Sequence, residues 1–146
     1  MTQYAVDDLH KMRKEYSDAD FDAKDLPADG NPMTLFNDWL AEATKQRVIE
    51  PNAMCLATVG KDGRPSNRYV LLKEVRPNGF VWFTNYESRK GAELAINPFG
   101  ALVFWWGALE RSIRIEGKVA MLPAEESDKY WSVRPRGAKV GAWASN

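Results

Sequence analysis

Cysteine and histidine are almost absent from this chain of 146 residues, which contains one of each. The single cysteine, Cys55, excludes an intrachain disulfide, and its position in an apolar run indicates a buried structural thiol. One histidine, His10, and one cysteine are too few ligands for a zinc site. A lone histidine in a polar N-terminal segment is usually solvated, which also disfavours a Ser-His-Asp triad. Redox or group-transfer chemistry would therefore need a bound organic cofactor, and we expect no metal.

Long apolar runs and an excess of one charge are also missing. No run approaches the ~18 apolar residues that indicate a membrane span, and the N-terminus lacks the basic-then-apolar pattern of a signal peptide. Twenty basic residues balance twenty acidic residues, so no overall field attracts nucleic acid or an anionic membrane. We therefore expect a cytoplasmic protein with no nucleic-acid or membrane partner.

The charge is unevenly distributed along the chain. Residues 1–30 hold eight acidic and four basic residues, which gives −4, whereas residues 31–146 hold twelve and sixteen, which gives +4. We interpret residues 1–30 as an acidic tail and residues 31–146 as one domain, since the whole chain has the length of a single domain. A mildly basic domain suits an anionic small molecule.

Helical signals occur at both ends of the chain and at one place between. Asn31 followed by Pro32 is a typical N-cap and first-turn pair, and apolar residues follow it at helical spacing. Asn97-Pro98 marks the end of a second helical segment. These patterns predict helices over residues 4–16, 32–47 and 88–96 and a last helix that begins at Pro123.

Strand signals fill most of the remaining domain. Aromatic and β-branched residues predict five strands, over residues 53–60, 66–75, 80–84, 99–106 and 111–121. Asp62-Gly63 and Asn78-Gly79 separate neighbouring strands and are typical of tight turns. Strands joined by such short turns are antiparallel. The sequence thus predicts a mainly β fold, an antiparallel barrel or sandwich with accessory helices, and disfavours a doubly wound nucleotide fold.

Ser88, Arg89 and Lys90 begin one predicted helix and form the first candidate ligand site. Free N–H groups at a helix N-terminus bind anions. Two cations at this end of a helix are unfavourable unless an anion neutralises them. The segment therefore indicates a bound phosphate, and the alternative is that both basic side chains point into solvent.

Two other segments place charged and aromatic residues together. Alternate residues of the strand Arg68-Tyr69-Val70-Leu71-Leu72-Lys73 share a face. That strand could line a ligand with an anionic end and a flat body, or it could be a barrel strand whose charges reach solvent. Tyr130 and Arg134 are four residues apart and share a face if the helix continues that far. Basic residues at a helix C-terminus are, however, favourable without any ligand.

In this order, the segments resemble the pyridoxamine 5'-phosphate oxidase family. The resemblance implies an FMN-binding split β-barrel that forms a homodimer with FMN between the subunits. It also implies oxidation of pyridoxamine or pyridoxine 5'-phosphate to pyridoxal 5'-phosphate, with oxygen reoxidising the flavin. The motifs that carry the resemblance are Arg13-Lys14-Glu15-Tyr16, Asp25-Leu26-Pro27-Ala28-Asp29, Pro32-Met33-Thr34-Leu35-Phe36, the strand from Arg68 to Lys73, Phe83-Thr84-Asn85, Ser88-Arg89-Lys90, Asn97-Pro98-Phe99, Leu109-Glu110-Arg111, Glu116-Gly117-Lys118, Arg134-Pro135-Arg136-Gly137 and Gly141-Ala142-Trp143-Ala144-Ser145.

The resemblance also implies roles for individual residues. Those implied to bind FMN are Arg68, Tyr69, Val70, Leu71, Leu72, Lys73, Phe83, Thr84, Ser88, Arg89, Lys90 and Ser112. Those implied to bind the substrate are Arg13, Lys14, Tyr16, Lys73, Tyr130, Arg134 and Ala138. Within the second set, Lys73, Tyr130 and Arg134 would hold the substrate phosphate, and the segment 13–16 would cover the bound vitamer.

Three features depart from the pattern of that family. Ser112 stands where a Gln usually contacts FMN, and Ala138 where a Ser usually contacts the substrate phosphate. The sequence ends at Asn146, whereas family members continue with further flavin contacts and with an Arg and a His beside the substrate. We therefore assign no catalytic residue and expect a truncated form to keep binding better than turnover. The alternatives are a non-catalytic protein that binds FMN or pyridoxal phosphate, another split-barrel flavoprotein such as a flavin reductase, and a non-functional fragment.

Overall fold

The computed structural model describes residues 11–12, 15–16 and 21–144. No helix within these ranges is long and apolar enough to cross a membrane. Short 3-10 helices occur at Ala23–Asp25 and Gly107–Leu109. The other elements are α1 (Pro32–Lys45), β1 (Ala53–Val59), β2 (Pro65–Leu71), β3 (Glu74–Arg76), β4 (Gly79–Val81), α2 (Arg89–Ile96), β5 (Phe99–Trp106), β6 (Arg111–Lys118), α3 (Ala124–Val133) and α4 (Arg136–Ala144).

Four of the strands form one antiparallel sheet in the order β2-β1-β5-β6. β1 and β2 pair along their whole length, from Ala53 opposite Leu71 to Val59 opposite Pro65. The turn between them contains Gly63 at a φ of 75°, a conformation that glycine adopts without a steric penalty. The short strands β3 and β4 form a separate antiparallel hairpin. The predicted class, antiparallel β with accessory helices, is confirmed.

The core lies on one face of the four-stranded sheet. Met54 and Leu56 of β1 and Phe104 of β5 are fully buried there, together with Ala43 of α1. The ring of Phe36, also from α1, contacts the ring of Phe104 with 5.2 Å between centroids. α1 therefore covers this face, as its predicted amphipathic pattern indicates.

The opposite face of the sheet carries apolar residues that stay exposed. Tyr69 on β2 is 79% exposed and Trp105 on β5 is 59% exposed. Cys55 on β1 lies between Tyr69 and Val103 across the sheet. It is half-buried rather than fully buried as predicted, because its strand presents this residue to the outer face. We call the surface formed by Cys55, Tyr69, Leu71, Val103 and Trp105 the outer face.

α1 begins as predicted and is joined to β6. Asn31 Oδ1 accepts a hydrogen bond from the Met33 N–H at 2.9 Å, which caps the helix. Arg111 of β6 donates to Glu42 of α1 at 2.6 Å and lies over the ring of Trp39 at 4.7 Å. These contacts keep the last strand of the sheet against the first helix of the domain.

Several predicted boundaries are wrong. The strand predicted over residues 66–75 ends at Leu71, because residues 74–76 pair with β4 instead of continuing beside β1. The strand predicted over 80–84 covers only residues 79–81, and the one predicted over 111–121 ends at Lys118. The helix after Pro123 is not the last: α4 follows it, because Pro135 ends one helix and permits another to begin. The helix predicted over residues 4–16 lies mostly outside the described residues.

Candidate functional site

A buried carboxylate joins β1, β2 and α2. Glu93 on α2 is 6% exposed. Its Oε2 accepts hydrogen bonds from Ser66 Oγ at 2.6 Å and Thr58 Oγ1 at 2.5 Å, and its Oε1 accepts one from Arg89 Nε at 2.8 Å. These bonds, that from Ser66 first, lower the pKa of the Glu93 carboxyl to about 2 from its usual 4.5. Glu93 is therefore ionised at neutral pH although it is buried.

The guanidinium of Arg68 on β2 lies beside this carboxylate. Arg68 Nη2 is 3.4 Å from Glu93 Oε2 and donates to Ser66 Oγ at 2.5 Å. Its Nη1 donates to Thr58 Oγ1 at 2.5 Å and to the carbonyl oxygen of Leu56 at 3.3 Å. Several partners on two strands thus fix the orientation of this cation.

Lys90, at the start of α2, lacks such a carboxylate partner. Its Nζ donates to Ser88 Oγ at 2.9 Å, and Ser88 Oγ donates to the carbonyl oxygen of Asn85 at 2.6 Å. Burial, and then the positive charge of Arg68, lower the pKa of Lys90. No ion pair within residues 21–144 involves Lys90. An anion beside Lys90 and Arg68 would offset both unfavourable effects, so this position suits a phosphate.

Arg89 differs from its neighbour Lys90. It forms an ion pair with Glu93 one helical turn further on, and its side chain is 71% exposed. Arg89 therefore does not need an external anion, contrary to the expectation for both cations at the start of this helix. Its assignment to a phosphate site stays a prediction.

A cavity of about 520 Å³ lies between β4, α2 and the two C-terminal helices. Its walls are mostly apolar and aromatic, and Arg134 is the one basic residue among its described lining residues. The lining includes two residues of the predicted FMN set, Phe83 and Thr84, and two of the predicted substrate set, Tyr130 and Arg134. The structure thus brings these four residues to one cavity.

Thr84 supplies a polar group to the cavity wall. Its Oγ1 is buried and has no hydrogen-bond partner among the described residues. A buried hydroxyl without a partner costs about 1–3 kcal/mol. Such an atom indicates a place where a polar group of a ligand would bind, which fits the role that the resemblance implies for Thr84.

Phe83 and Tyr130 stack in the same cavity, with 3.8 Å between ring centroids. Lys73 Nζ lies 5.9 Å from the centroid of the Tyr130 ring. Arg134 does not continue the helix of Tyr130, because α3 ends at Val133 and Arg134 has extended backbone. The helix thus does not continue as far as a shared face would require, although both side chains line one cavity.

The strand from Arg68 to Leu72 alternates as predicted but does not line this cavity. Val70 packs against the core and Leu72 lies within it. Tyr69 and Leu71 belong to the outer face. The predicted contacts of these residues with a flavin stay predictions.

The remaining predicted residues lie apart from the cavity. Ser112 is exposed on β6 opposite Trp105, and Ala138 is half-buried on α4. Tyr16 is exposed in a short described segment. Arg13 and Lys14 lie outside the described residues.

Sequence reasoning missed Thr58, Ser66 and Glu93. The spacing of Arg89 and Glu93, four residues apart on a predicted helix, is typical of an ion pair and was the available signal for Glu93. The two hydroxyls gave no such signal, because only the pairing of β1 with β2 places Thr58 opposite Ser66.

Comparison with known proteins covers most of the chain. The family model described as pyridoxamine 5'-phosphate oxidase matches residues 40–146. A pyridoxine/pyridoxamine 5'-phosphate oxidase of Actinobacillus pleuropneumoniae serotype 3 is 52% identical over 139 residues, which are 95% of this chain and 65% of that protein. One of Burkholderia multivorans is 53% identical over 137 residues, 94% of this chain and 63% of that protein. The chain thus spans just under two thirds of the length of these relatives.

Solved structures share the fold. PhzG from Burkholderia lata 383, in complex with tetrahydrophenazine-1-carboxylic acid, has a TM-score of 0.81 and 31% identity, covering 88% of this chain and 63% of that chain. A pyridoxamine 5'-phosphate oxidase-related, FMN-binding protein from Nostoc punctiforme has a TM-score of 0.57 at 16% identity, covering 70% of this chain and 59% of that chain. These likenesses support the predicted split-barrel class. With the family match and the identity to curated relatives, they show that the chain belongs to the pyridoxamine 5'-phosphate oxidase family.

Proposed function

We propose that this chain supplies the FMN-binding and substrate-binding part of a pyridoxine/pyridoxamine 5'-phosphate oxidase. The observation that carries the proposal is the partly buried Lys90 beside Arg68, because two neighbouring cations without a second carboxylate suit a phosphate group. Relatives with 50–53% identity carry the name of this oxidase, which supports the same activity.

The charges around α2 match a phosphate monoester. Arg68, Arg89 and Lys90 contribute three positive charges and Glu93 one negative charge, so the cluster carries +2. A phosphate monoester carries about −1.5 to −2 at neutral pH. In this proposal the cluster neutralises the FMN phosphate, and the unpaired hydroxyl of Thr84 binds another polar group of the cofactor. When bound, FMN would accept a hydride from the 4'-carbon of the vitamer and transfer the electrons to oxygen.

The aromatic cavity would hold the substrate. Arg134 is positioned to bind the vitamer phosphate, since a guanidinium forms paired hydrogen bonds with phosphate oxygens. Lys73, beside the ring of Tyr130, would add a second cation. Apolar walls such as Trp131 and Leu94 exclude water and pack against the pyridine ring. These residues would orient the vitamer. Because the cofactor carries out the electron transfer, orientation of the substrate is a large part of what the protein contributes to catalysis.

The outer face would bind a second copy of the chain. Its large residues Tyr69 and Trp105 are exposed, and Cys55 lies beside Tyr69 across the sheet. An exposed apolar face of this kind is typical of an interface between subunits. The homodimer implied by the family resemblance fits this surface.

A second candidate function is oxidation of an aromatic carboxylic acid. Arg134 is the one basic residue among the described lining residues, and Lys73 does not line the cavity, so the cavity also suits a ligand with a single carboxylate. PhzG, at 31% identity, is described with a tetrahydrophenazine carboxylic acid. Lys73 separates the two functions: a phosphate would use both cations, whereas a carboxylate would use Arg134 alone.

The test is to purify the protein, saturate it with FMN and add pyridoxamine or pyridoxine 5'-phosphate in air. The proposal predicts formation of pyridoxal 5'-phosphate and peroxide in equal amounts, and little reaction with the unphosphorylated vitamers. Bound FMN without aldehyde formation would support the non-catalytic binding protein instead. Protein that binds no FMN at all would contradict both functions.

A further inference from the structure

Glu93 is the buried group that the proposed chemistry does not use. Its side chain is 8% exposed and contacts both Arg68 and Arg89, the first from β2 and the second from its own helix. Neither arginine has another carboxylate partner within the described ranges. The carboxylate therefore lies between two of the three cations of the predicted phosphate site.

The two oxygens of Glu93 have different partners. Oε2 faces the sheet, where it accepts from Ser66 on β2 and Thr58 on β1. Oε1 faces the start of α2, where it accepts from Arg89. Since Lys90 lies on the same helix, the contacts of Glu93 with the two strands also set the position of the first turn of α2 relative to Arg68.

We propose that Glu93 is the positioning residue of the phosphate site, which fixes the Arg68 guanidinium and the first turn of α2 so that Arg68 and Lys90 receive one phosphate together. This inference rests on the proposed FMN site. Glu93 does not touch the cofactor in this account; it acts through Arg68, Ser66 and Arg89.

The two hydroxyls share one acceptor oxygen of Glu93, Oε2, while Arg89 uses the other, Oε1. Ser66 Oγ and Thr58 Oγ1 each donate to Glu93 and each accept from Arg68. An apolar residue at position 93 would leave both hydroxyls without their acceptor and Arg68 without its counter-ion. The guanidinium would keep its bonds to the strands but lose its only carboxylate partner among the described residues, and its repulsion from Lys90 would no longer be offset.

A simple structural contact between α2 and the sheet is the competing interpretation of Glu93. The two interpretations differ in what a substitution changes. A structural contact supports every ligand of the domain equally, whereas a positioning residue of the phosphate site affects only ligands that carry the phosphate. FMN and riboflavin have the same ring system and differ by that phosphate, so they separate the two interpretations.

The experiment compares the dissociation constants of FMN and riboflavin for wild type, Glu93→Gln, Glu93→Ala and the control Glu125→Gln. Glu93→Gln keeps the size of the side chain and one acceptor oxygen, so it tests the inference even if Glu93→Ala fails to fold. Glu125 is an exposed residue in the first turn of α3 and makes the matched change outside the site. Thermal unfolding of each variant measures its structural effect.

We expect Glu93→Gln to raise the dissociation constant of FMN about tenfold, because a misplaced Arg68 would lose one charge-assisted hydrogen bond to the phosphate, and to raise that of riboflavin less than twofold. Glu93→Ala should weaken FMN further, and Glu125→Gln should change neither flavin. Unchanged FMN binding by Glu93→Gln, or equal loss of both flavins, would overturn the inference. Wild-type protein that does not prefer FMN to riboflavin would instead contradict the proposed FMN site itself.

Discussion

Phe83 and Tyr130 stack face to face, with 3.8 Å between their ring centroids and 3° between their planes. Phe83 follows β4, and Tyr130 lies on α3, so the stack joins the strand layer to the C-terminal helices. Lys73 lies over the same Tyr130 ring at 5.9 Å. Of the residues predicted to hold the substrate phosphate, Tyr130 and Lys73 are therefore brought together by contacts with one aromatic ring.

Tyr130→Phe removes the hydroxyl of Tyr130 and keeps its ring, so it measures the contribution of the hydroxyl alone. The stack with Phe83 remains, so the melting temperature should not change. Loss of one hydrogen bond to the substrate phosphate should raise KM about fivefold, for a contribution of ~1 kcal/mol. Tyr130→Ala should also lower the melting temperature, because an aromatic pair contributes about 0.5–1.5 kcal/mol beyond its buried area. Equal KM for wild type and Tyr130→Phe would show that this hydroxyl does not bind the substrate.

Lys90→Met and Arg89→Met should differ in their effect on FMN binding. Lys90 has no carboxylate partner in the described part of the chain, so its loss should cost about 1.5–3 kcal/mol, or tenfold to a hundredfold in affinity. Arg89 is exposed and paired with Glu93, so its loss should cost less. Lys61→Met, in the turn after β1, is the control and should leave FMN titrations unchanged. Equal titrations for wild type and Lys90→Met would contradict the phosphate assignment.

Lys73→Met and Arg134→Met should weaken substrate more than cofactor. Both should raise KM for the phosphorylated vitamer while the dissociation constant of FMN stays within about twofold. The loss should be smaller for an unphosphorylated vitamer, which lacks the group that these cations bind. If Arg134→Met alone affects binding, the aromatic-acid function is favoured. Loss of FMN affinity in parallel with KM would place both residues in the flavin site.

The sequence predicted the elements of the fold better than their ends. The strand from Arg68 to Lys73 has the expected alternation, but its end at Leu71 depends on residues 74–76 pairing with β4, which local sequence does not indicate. Pro135 disfavours helical backbone at Arg134, where α3 does end. It could not predict that α4 would follow it.

In the candidate site, too, the sequence predicted some features and not others. The charges of Arg89 and Lys90 were visible as a motif, whereas the partner that distinguishes them lies one helical turn away in Glu93. Thr58 and Ser66 are ordinary hydroxyl residues in the sequence and become functional candidates only when two strands place them around one carboxylate. Networks that cross strands depend on register, and register is a property of the folded sheet.

Val103→Glu should convert a dimer into a monomer. Val103 lies in the middle of the outer face, between Cys55 on β1 and Arg114 on β6. A charge there would be removed from solvent in the interface, which costs free energy, whereas in the monomer it stays exposed beside Arg114. Sedimentation should show half the mass of wild type. Ile49→Glu, at an exposed position away from the sheet, is the control. A wild-type monomer would contradict the proposed interface.

Acid should selectively remove the contribution of Glu93 to stability. Its pKa in the folded protein is about 2 against a usual 4.5, so the contribution is present above pH 4.5 and is lost as the pH falls toward 2. The difference in melting temperature between wild type and Glu93→Gln should therefore be largest above pH 4.5 and shrink toward pH 2. A difference that stays constant over this range would show that the ionised carboxylate does not stabilise the fold.

The proposed function requires this chain to hold FMN and a phosphorylated vitamer together in a reactive arrangement. The most direct test is to mix FMN-loaded protein with pyridoxamine 5'-phosphate without oxygen and follow the visible absorbance of the flavin. We expect the flavin to be reduced and pyridoxal 5'-phosphate to form in an equal amount. Flavin that stays oxidised while both ligands are bound would contradict it.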